Sequence, residues 1–132
     1  RNKVALPTDR KYSKTHEWYK ADGDIVILGI TEFAATQLTD ITYVQLPQVG
    51  SKVTAGGQVG EIESVKATSP VYSAFNGQVV EVNDHLNNAP EAVNDDPFGA
   101  GWMVKIRTTD LSPLNTLMDA KAYEQFMAGN VH

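Results

Sequence analysis

Apolar residues along this chain alternate with polar ones or gather in short β-branched runs, at Ile25-Val26-Ile27-Leu28, Tyr43-Val44-Gln45-Leu46, Val59 to Ile62, Val79 to Val82 and Met103-Val104-Lys105-Ile106. Each run is bounded by Gly, Pro, Asn or Asp, the pattern of strands in a sandwich or barrel, so the body of the chain is predicted to be mainly β. A short helix is predicted from Glu32 to Leu38. There Thr31 is the candidate N-cap, Glu32 sets negative charge against the positive end of the helix dipole, and Phe33, Ala34 and Leu38 form one apolar stripe. The C-terminal stretch changes character. Ser112-Pro113 pairs an N-cap with proline at the first helical position, Asp119 starts a second helix, and Gly129 is its expected stop. Tyr123, Phe126 and Met127 face one way on that helix, which points to core contact, with a helical tail near 112–129 packed across one end of the β body. From Leu86 to Trp102, the residues Pro90, Asn94-Asp95-Asp96-Pro97 and Gly99-Ala100-Gly101 predict a long loop held by turns.

A near-repeat organises the middle of the chain. Gly57-Gln58-Val59-Gly60-Glu61-Ile62-Glu63 and Gly77-Gln78-Val79-Val80-Glu81-Val82-Asn83 match at Gly, Gln, Val and Glu, with an Ile/Val exchange. Two units are too few for a solenoid, which is stabilised by stacking several, so the repeat implies a compact β fold of approximate two-fold symmetry, each copy supplying half of a sandwich. The length of 132 residues suits one domain with one core.

Charge and residue inventory remove several function classes. Eleven Lys+Arg stand against 16 Asp+Glu, and the bases are scattered, which argues against nucleic-acid binding. With no cysteine there is no disulfide framework, cysteine zinc site, iron–sulfur cluster or cysteine nucleophile in the polypeptide itself. No apolar run approaches the ~18 residues of a membrane span, and the opening Arg1-Asn2-Lys3-Val4-Ala5-Leu6-Pro7 has no secretory apolar stretch, so a soluble intracellular protein is expected. His16-Glu17 lacks the second histidine of a zinc-protease helix, and neither His85 nor His132 stands at ligand spacing from it, so no metal is expected. Gly56-Gly57 precedes Gln58 and a strand, which reads as a turn and not a phosphate cradle. Trp18 and Trp102 read as packing residues. Glu61 and Glu63 share one face of a strand, but nothing else beside them suggests acid/base chemistry.

Between the repeat halves, Ser64, Ala67 and Ser69 surround Lys66, and Pro70 disfavours a helix, placing the lysine at or near a hairpin tip with an unencumbered amine. Taken alone, such a lysine is a solubilising charge that also blunts a strand edge. Its surroundings say more. Glu63-Ser64-Val65-Lys66-Ala67-Thr68-Ser69, followed by Asn76-Gly77 and Val79-Val80-Glu81-Val82-Asn83, resembles the lipoyl-lysine hairpin of the glycine cleavage system H proteins. The resemblance extends over nearly the whole chain, through Tyr12, Thr15-His16-Glu17-Trp18, Gly29-Ile30-Thr31, Val44-Gln45-Leu46-Pro47 and Val49-Gly50, then Val93-Asn94, Asp96-Pro97 and Gly99 to Trp102. Departures are mild: Thr15 for a common serine, Glu32-Phe33 for Asp-Tyr, Thr39 for glycine, Gln45 for glutamate and Phe98 for tyrosine. Thr39 is the one with a backbone consequence, since a β-branched residue tolerates positive φ poorly.

The resemblance implies a barrel-sandwich hybrid of the lipoyl/biotinyl-carrier type, with the lipoyl hairpin near 58–83 and lipoic acid joined to Lys66 as an amide. Ser64, Val65 and Ala67 would flank the attachment, and Glu63 would mark the hairpin for a lipoate–protein ligase or an octanoyl/lipoyl transferase. It further implies a shuttle that takes an aminomethyl group from the pyridoxal-phosphate-dependent P protein, delivers it to the T protein for transfer to tetrahydrofolate, and is reoxidised by the flavin-dependent L protein. A loaded arm carries a cationic amine, and the resemblance names Glu17 as the carboxylate that would hold it, with Thr15 as hydrogen-bonding neighbour. A monomer in the bacterial cytoplasm is expected, or in the mitochondrial matrix for a eukaryotic source. Other readings are a lipoyl store that relays lipoate to 2-oxoacid dehydrogenases, and a biotinyl-type carrier, although those flank their lysine with methionines where this chain has Val65 and Ala67. An unmodified interaction module would tolerate replacement of Lys66. An enzyme in its own right has no nucleophile–base pair to support it.

Overall fold

The computed structural model describes residues 6–130. The opening residues before Leu6, and His132, lie outside the described residues. Among the described residues nine strands form: β1 (Lys11–Tyr12), β2 (Glu17–Asp22), β3 (Ile25–Ile30), β4 (Ile41–Gln45), β5 (Lys52–Val53), β6 (Gln58–Ser64), β7 (Thr68–Tyr72), β8 (Gly77–Val82) and β9 (Val104–Arg107). They make two antiparallel sheets, one of order β1-β2-β3-β9-β8-β5 and one of order β4-β6-β7. The two repeat copies are β6 and β8, one in each sheet, as the sequence implied. Each carries a bulge close to its shared valine, between Gln58 and Gly60 in one and Val79 and Glu81 in the other.

Period-two alternation explains the core. Val26 and Leu28 of β3, Val79 of β8 and Val104 and Ile106 of β9 turn inward from the large sheet, and Val44, Ile62 and Val71 meet them from the small one. Phe75, Leu86, Val93 and Met103 close the ends. Burying each such side chain contributes roughly 1.5–3 kcal/mol. Helix α1 (Glu32–Leu38) has the predicted bounds, and Thr31 Oγ1 accepts from the Ala34 N–H at 3.3 Å. Its buried stripe differs slightly from expectation: Ala35 and Leu38 are buried, while Phe33 and Ala34 are only partly so.

Three further expectations are corrected. The segment from Leu86 to Trp102 is not all loop. It begins within a 3-10 turn (Asp84–Asn87) and includes a four-residue helix, α2 (Ala92–Asp95), because Val93 is fully buried and anchors a turn that proline and glycine flank. The Ser112-Pro113 start gives only a 3-10 turn, Ser112–Asn115, with Leu111 at the cap position and no side-chain cap bond. Asp119 does open the terminal helix α3 (Ala120–Asn130), its Oδ1 accepting from the Ala122 N–H at 2.8 Å. Gly129 does not stop it. The helix runs through to Asn130, and Gly129 is not among the positive-φ residues.

Helix α3 packs on a second apolar cluster of Tyr12, Trp18 and Tyr123, with Phe98, Trp102, Phe126 and Met127 around it. Tyr12 and Tyr123 stack with ring centroids 4.8 Å apart. The chain reaches α3 through a bridge in which Tyr12 and Met118 exchange both backbone hydrogen bonds, at 2.7 and 2.9 Å. Trp18 lies flat over Gly29, where any Cβ would stand 2.9 Å from the indole, and its Nε1–H donates to the Pro97 carbonyl at 2.9 Å. Trp102 is only half-buried, with the Lys105 ammonium 4.9 Å from its ring centre.

Candidate functional site

Lys66 stands at the apex of the β6–β7 hairpin, whose pairing runs from Glu63 opposite Thr68 back to Gln58 opposite Tyr72. The hairpin proper therefore ends at Tyr72, and the segment beyond it crosses to the large sheet as β8. Three residues, Val65 to Ala67, make the loop, and the Ser64 hydroxyl shapes it. That oxygen accepts from the Ala67 N–H at 3.1 Å and the Lys66 N–H at 3.3 Å and donates to the Ala67 carbonyl at 3.1 Å. The Ser64 N–H adds a 2.8 Å bond to the same carbonyl. Val65 then donates its N–H to the Asp40 carbonyl at 3.1 Å, tying the tip to the segment after α1. With its backbone so fixed, Lys66 projects an exposed side chain that forms no ion pair with any described residue. Val65 is 67% exposed, so the flank of the lysine is apolar and uncovered. Glu61 and Glu63 do share the outer face of the sheet, in rows with Gln45 and Pro70 and with Tyr43 and Thr68.

Glu17, the first residue of β2, is not an exposed strand residue. It is 1% exposed, and its carboxylate is met by three neutral donors: the Ser13 and Thr15 hydroxyls at Oε1 and the Tyr72 N–H at Oε2, the last at 3.0 Å. Burial pushes its pKa up, opposed by those hydrogen bonds from Ser13, Thr15 and Tyr72. No cation among the described residues balances this charge. Ser13 also accepts the Glu17 N–H on its hydroxyl at 3.0 Å, so the segment from 13 to 17 curls around the carboxylate of its own last residue. Tyr72 closes β7, six positions after Lys66, so roughly 20 Å of extended chain separates the apex from the carboxylate.

Of the residues named from sequence, the structure brings Thr15 and Glu17 together and sets Lys66 apart at the hairpin apex, while Ser13, the Tyr72 N–H and the Asp40 carbonyl were not anticipated. A hydroxyl at position 13, alternating with Thr15 and Glu17, was the available signal for the first. The other two are backbone groups brought in by topology, and no side-chain pattern marks them.

Two sheets related by an internal near-repeat, with a lysine displayed on a hairpin that joins strands of the smaller one, define a barrel-sandwich carrier of the lipoyl/biotinyl type. Comparison with known proteins then narrows the class. The family profile described as Glycine cleavage H-protein matches residues 10–130. The glycine cleavage system H protein of Myxococcus xanthus is 50% identical over 118 residues, covering 89% of this chain and 92% of that one. That of Bacillus pumilus is 46% identical over 122 residues, covering 92% and 96%. Among solved structures, a glycine cleavage system H protein from Mycobacterium marinum superposes with a TM-score of 0.82 at 37% identity, covering 95% of this chain and 98% of that one. This chain belongs to the glycine cleavage H-protein family, the lipoyl-bearing shuttle component of that system.

Proposed function

We propose that Lys66 is the lipoyl attachment point and that the chain carries an aminomethyl group between the P and T proteins before reoxidation by the L protein, catalysing no reaction itself. A lipoyl amide on Lys66 supplies the disulfide that accepts this cargo, which a polypeptide without cysteine lacks. The observation that carries the reading is the apex geometry: a fixed loop, a lysine in no ion pair with any described residue, and small or apolar neighbours that leave the amine open to a modifying enzyme. Ser64 holds the loop in shape, and Glu63, exposed beside it, offers a charge for the lipoylating enzyme to recognise. We place the chain in the bacterial cytoplasm, in keeping with its bacterial relatives.

Glu17 is suited to hold the cationic amine of the cargo. Ser13, Thr15 and Tyr72 keep its carboxylate aimed while leaving acceptor capacity at Oε2, and Thr15 is exposed enough to yield its place to an incoming N–H donor. In a buried setting the pairing of ammonium and carboxylate is stronger than at the surface, and an amine so held is kept from water.

The attachment is tested by incubating the protein with a lipoate–protein ligase, lipoate and ATP and mapping the product by peptide mass spectrometry. A lipoyl mass gain on the peptide containing Lys66, absent from Lys66→Arg, is expected. No gain in folded protein, under conditions that modify an H protein of known activity, overturns the reading. The role of Glu17 is read from the lifetime of the aminomethyl-loaded form, which Glu17→Gln should shorten.

A further inference from the structure

Helix α3 is hydrogen-bonded to the segment that cradles Glu17 through the Tyr123 hydroxyl. Tyr123 is fully buried, and its hydroxyl lies 2.7 Å from His16 Nδ1 and 2.8 Å from Thr31 Oγ1. His16 sits between the two site residues Thr15 and Glu17 and is held at φ +71°, a left-handed conformation uncommon for a residue with a side chain. That reversal curls the segment so that the Ser13 and Thr15 hydroxyls point back at Glu17. The curl is closed by the His16 N–H donating to the Ser13 carbonyl at 3.1 Å and the Ser13 N–H to the Glu17 carbonyl at 3.0 Å.

His16 is pinned from every side. Its carbonyl accepts the Thr31 N–H at 3.0 Å, and its ring packs on Phe33 at 4.6 Å between centroids and on Phe126 at 6.1 Å. Thr31 is itself the N-cap of α1. The Tyr123 hydroxyl can donate to one partner and accept from the other, so it joins α3, the start of α1 and the strained segment in one buried node.

We propose that Tyr123 is a positioning residue for the Glu17 carboxylate: its hydroxyl holds His16 in the left-handed conformation that aims Ser13 and Thr15 at Glu17, so the C-terminal helix governs how well the loaded arm is held. The proposal rests on the reading of Glu17 as the residue that binds the cargo amine, and its test separates the two. Tyr123→Phe keeps the ring stacked on Tyr12 and removes only the hydroxyl. Two measurements are made on it. In unlipoylated protein, the Glu17 carboxyl is titrated by 13C NMR. In lipoylated protein loaded with the aminomethyl group, the lifetime of the loaded form is measured in wild type, Tyr123→Phe, Glu17→Gln and the double variant.

The expected result is a displaced Glu17 titration in Tyr123→Phe, a lifetime shortened roughly threefold to tenfold, the kinetic equivalent of about one hydrogen bond, and no further loss when the change is added to Glu17→Gln. A wild-type titration curve and wild-type lifetime in folded Tyr123→Phe overturn the proposal. If Glu17→Gln leaves the lifetime unchanged, the cargo reading falls, while a displaced titration still upholds the positioning of the carboxylate. Should Tyr123→Phe fail to fold, His16→Phe breaks the same hydrogen bond while keeping an aromatic ring against Phe33, and the same two outcomes decide.

Discussion

At the scale of single residues, the most consequential choice is a carboxylate placed where water cannot reach it. Burial raises the pKa of Glu17, so its ionisation is less favourable in the folded than in the unfolded chain. Below the ordinary carboxyl value of 4.5 both states hold the proton and the residue is neutral to stability; as pH rises above it, the folded state is increasingly penalised. Glu17→Gln should therefore raise the thermal midpoint at pH 7, with the gain vanishing below about pH 4.5. His16 acts with the opposite sign. Burial lowers its pKa from 6.5, so the fold loses stability as pH falls through that value. Where the two titrations overlap, the residues offset one another in the wild type, and Glu17→Gln should show a steeper fall of the midpoint on acidification from neutral pH toward 4.5. Parallel thermal melts in a pH series check both statements. Thr39 gives a third residue-level expectation. It ends α1 at φ +62° and ψ −141°, a region natural only to glycine. Thr39→Gly should stabilise by about 1 kcal/mol, read from urea denaturation, since the Thr39 carbonyl that accepts from Asn94 Nδ2 at 2.7 Å is kept.

At the scale of elements, the strands and α1 were legible because their physics is local: alternation, a capping hydroxyl and turn residues at each boundary. The sequence also led to Lys66 on a hairpin tip and to β6 and β8 as equivalent strands. Less legible were the elements decided by tertiary contact. Val93 nucleates α2 only because there is a core beneath it, and the 3-10 turn at Ser112 is too short to use the cap that its residues offer. Gly129 misled because glycine marks helix ends statistically, whereas here α3 simply continues through it. The two glycines Gly129 and Gly77 make a paired test. At Gly129 a Cβ would meet nothing within 4 Å, so Gly129→Ala should add about 0.5–1 kcal/mol. At Gly77, which leads β8, a Cβ would stand 2.1 Å from the Arg107 carbonyl oxygen and 2.8 Å from Ile106 Cγ2, so β8 and β9 would have to part. Gly77→Ala should cost about 3 kcal/mol or more, and amide hydrogen exchange should show the loss concentrated in those two strands.

At the scale of the whole molecule, the near-repeat builds a two-layer body whose function is presentation, and the acidic balance of the chain is part of that. Lipoylation at Lys66 would remove one positive charge, taking the formal net charge from −5 to −6, so the modified protein should elute later than the unmodified one on anion exchange at pH 7. What the sequence could not reveal at this scale is convergence. Residues 13, 17 and 72 meet only once both sheets are assembled, and Tyr123 joins them only through His16, which showed no metal-ligand spacing in the sequence.

The bond from the Val65 N–H to the Asp40 carbonyl has a consequence for kinetics. With a lipoyl arm on Lys66 as proposed, this bond would tether the base of the arm to the segment after α1, so that the arm's end would sample a shell of space about one origin. If Glu17 holds the cargo as proposed, its occupancy would be an intramolecular partition, set by an effective concentration that depends on the length and stiffness of the tether and not on protein concentration. The protected fraction of a loaded population should be the same in dilute and in concentrated solution. A partner enzyme would gain access by bringing its own site inside that shell, and crowding the carrier would not change how safely it stores what it carries.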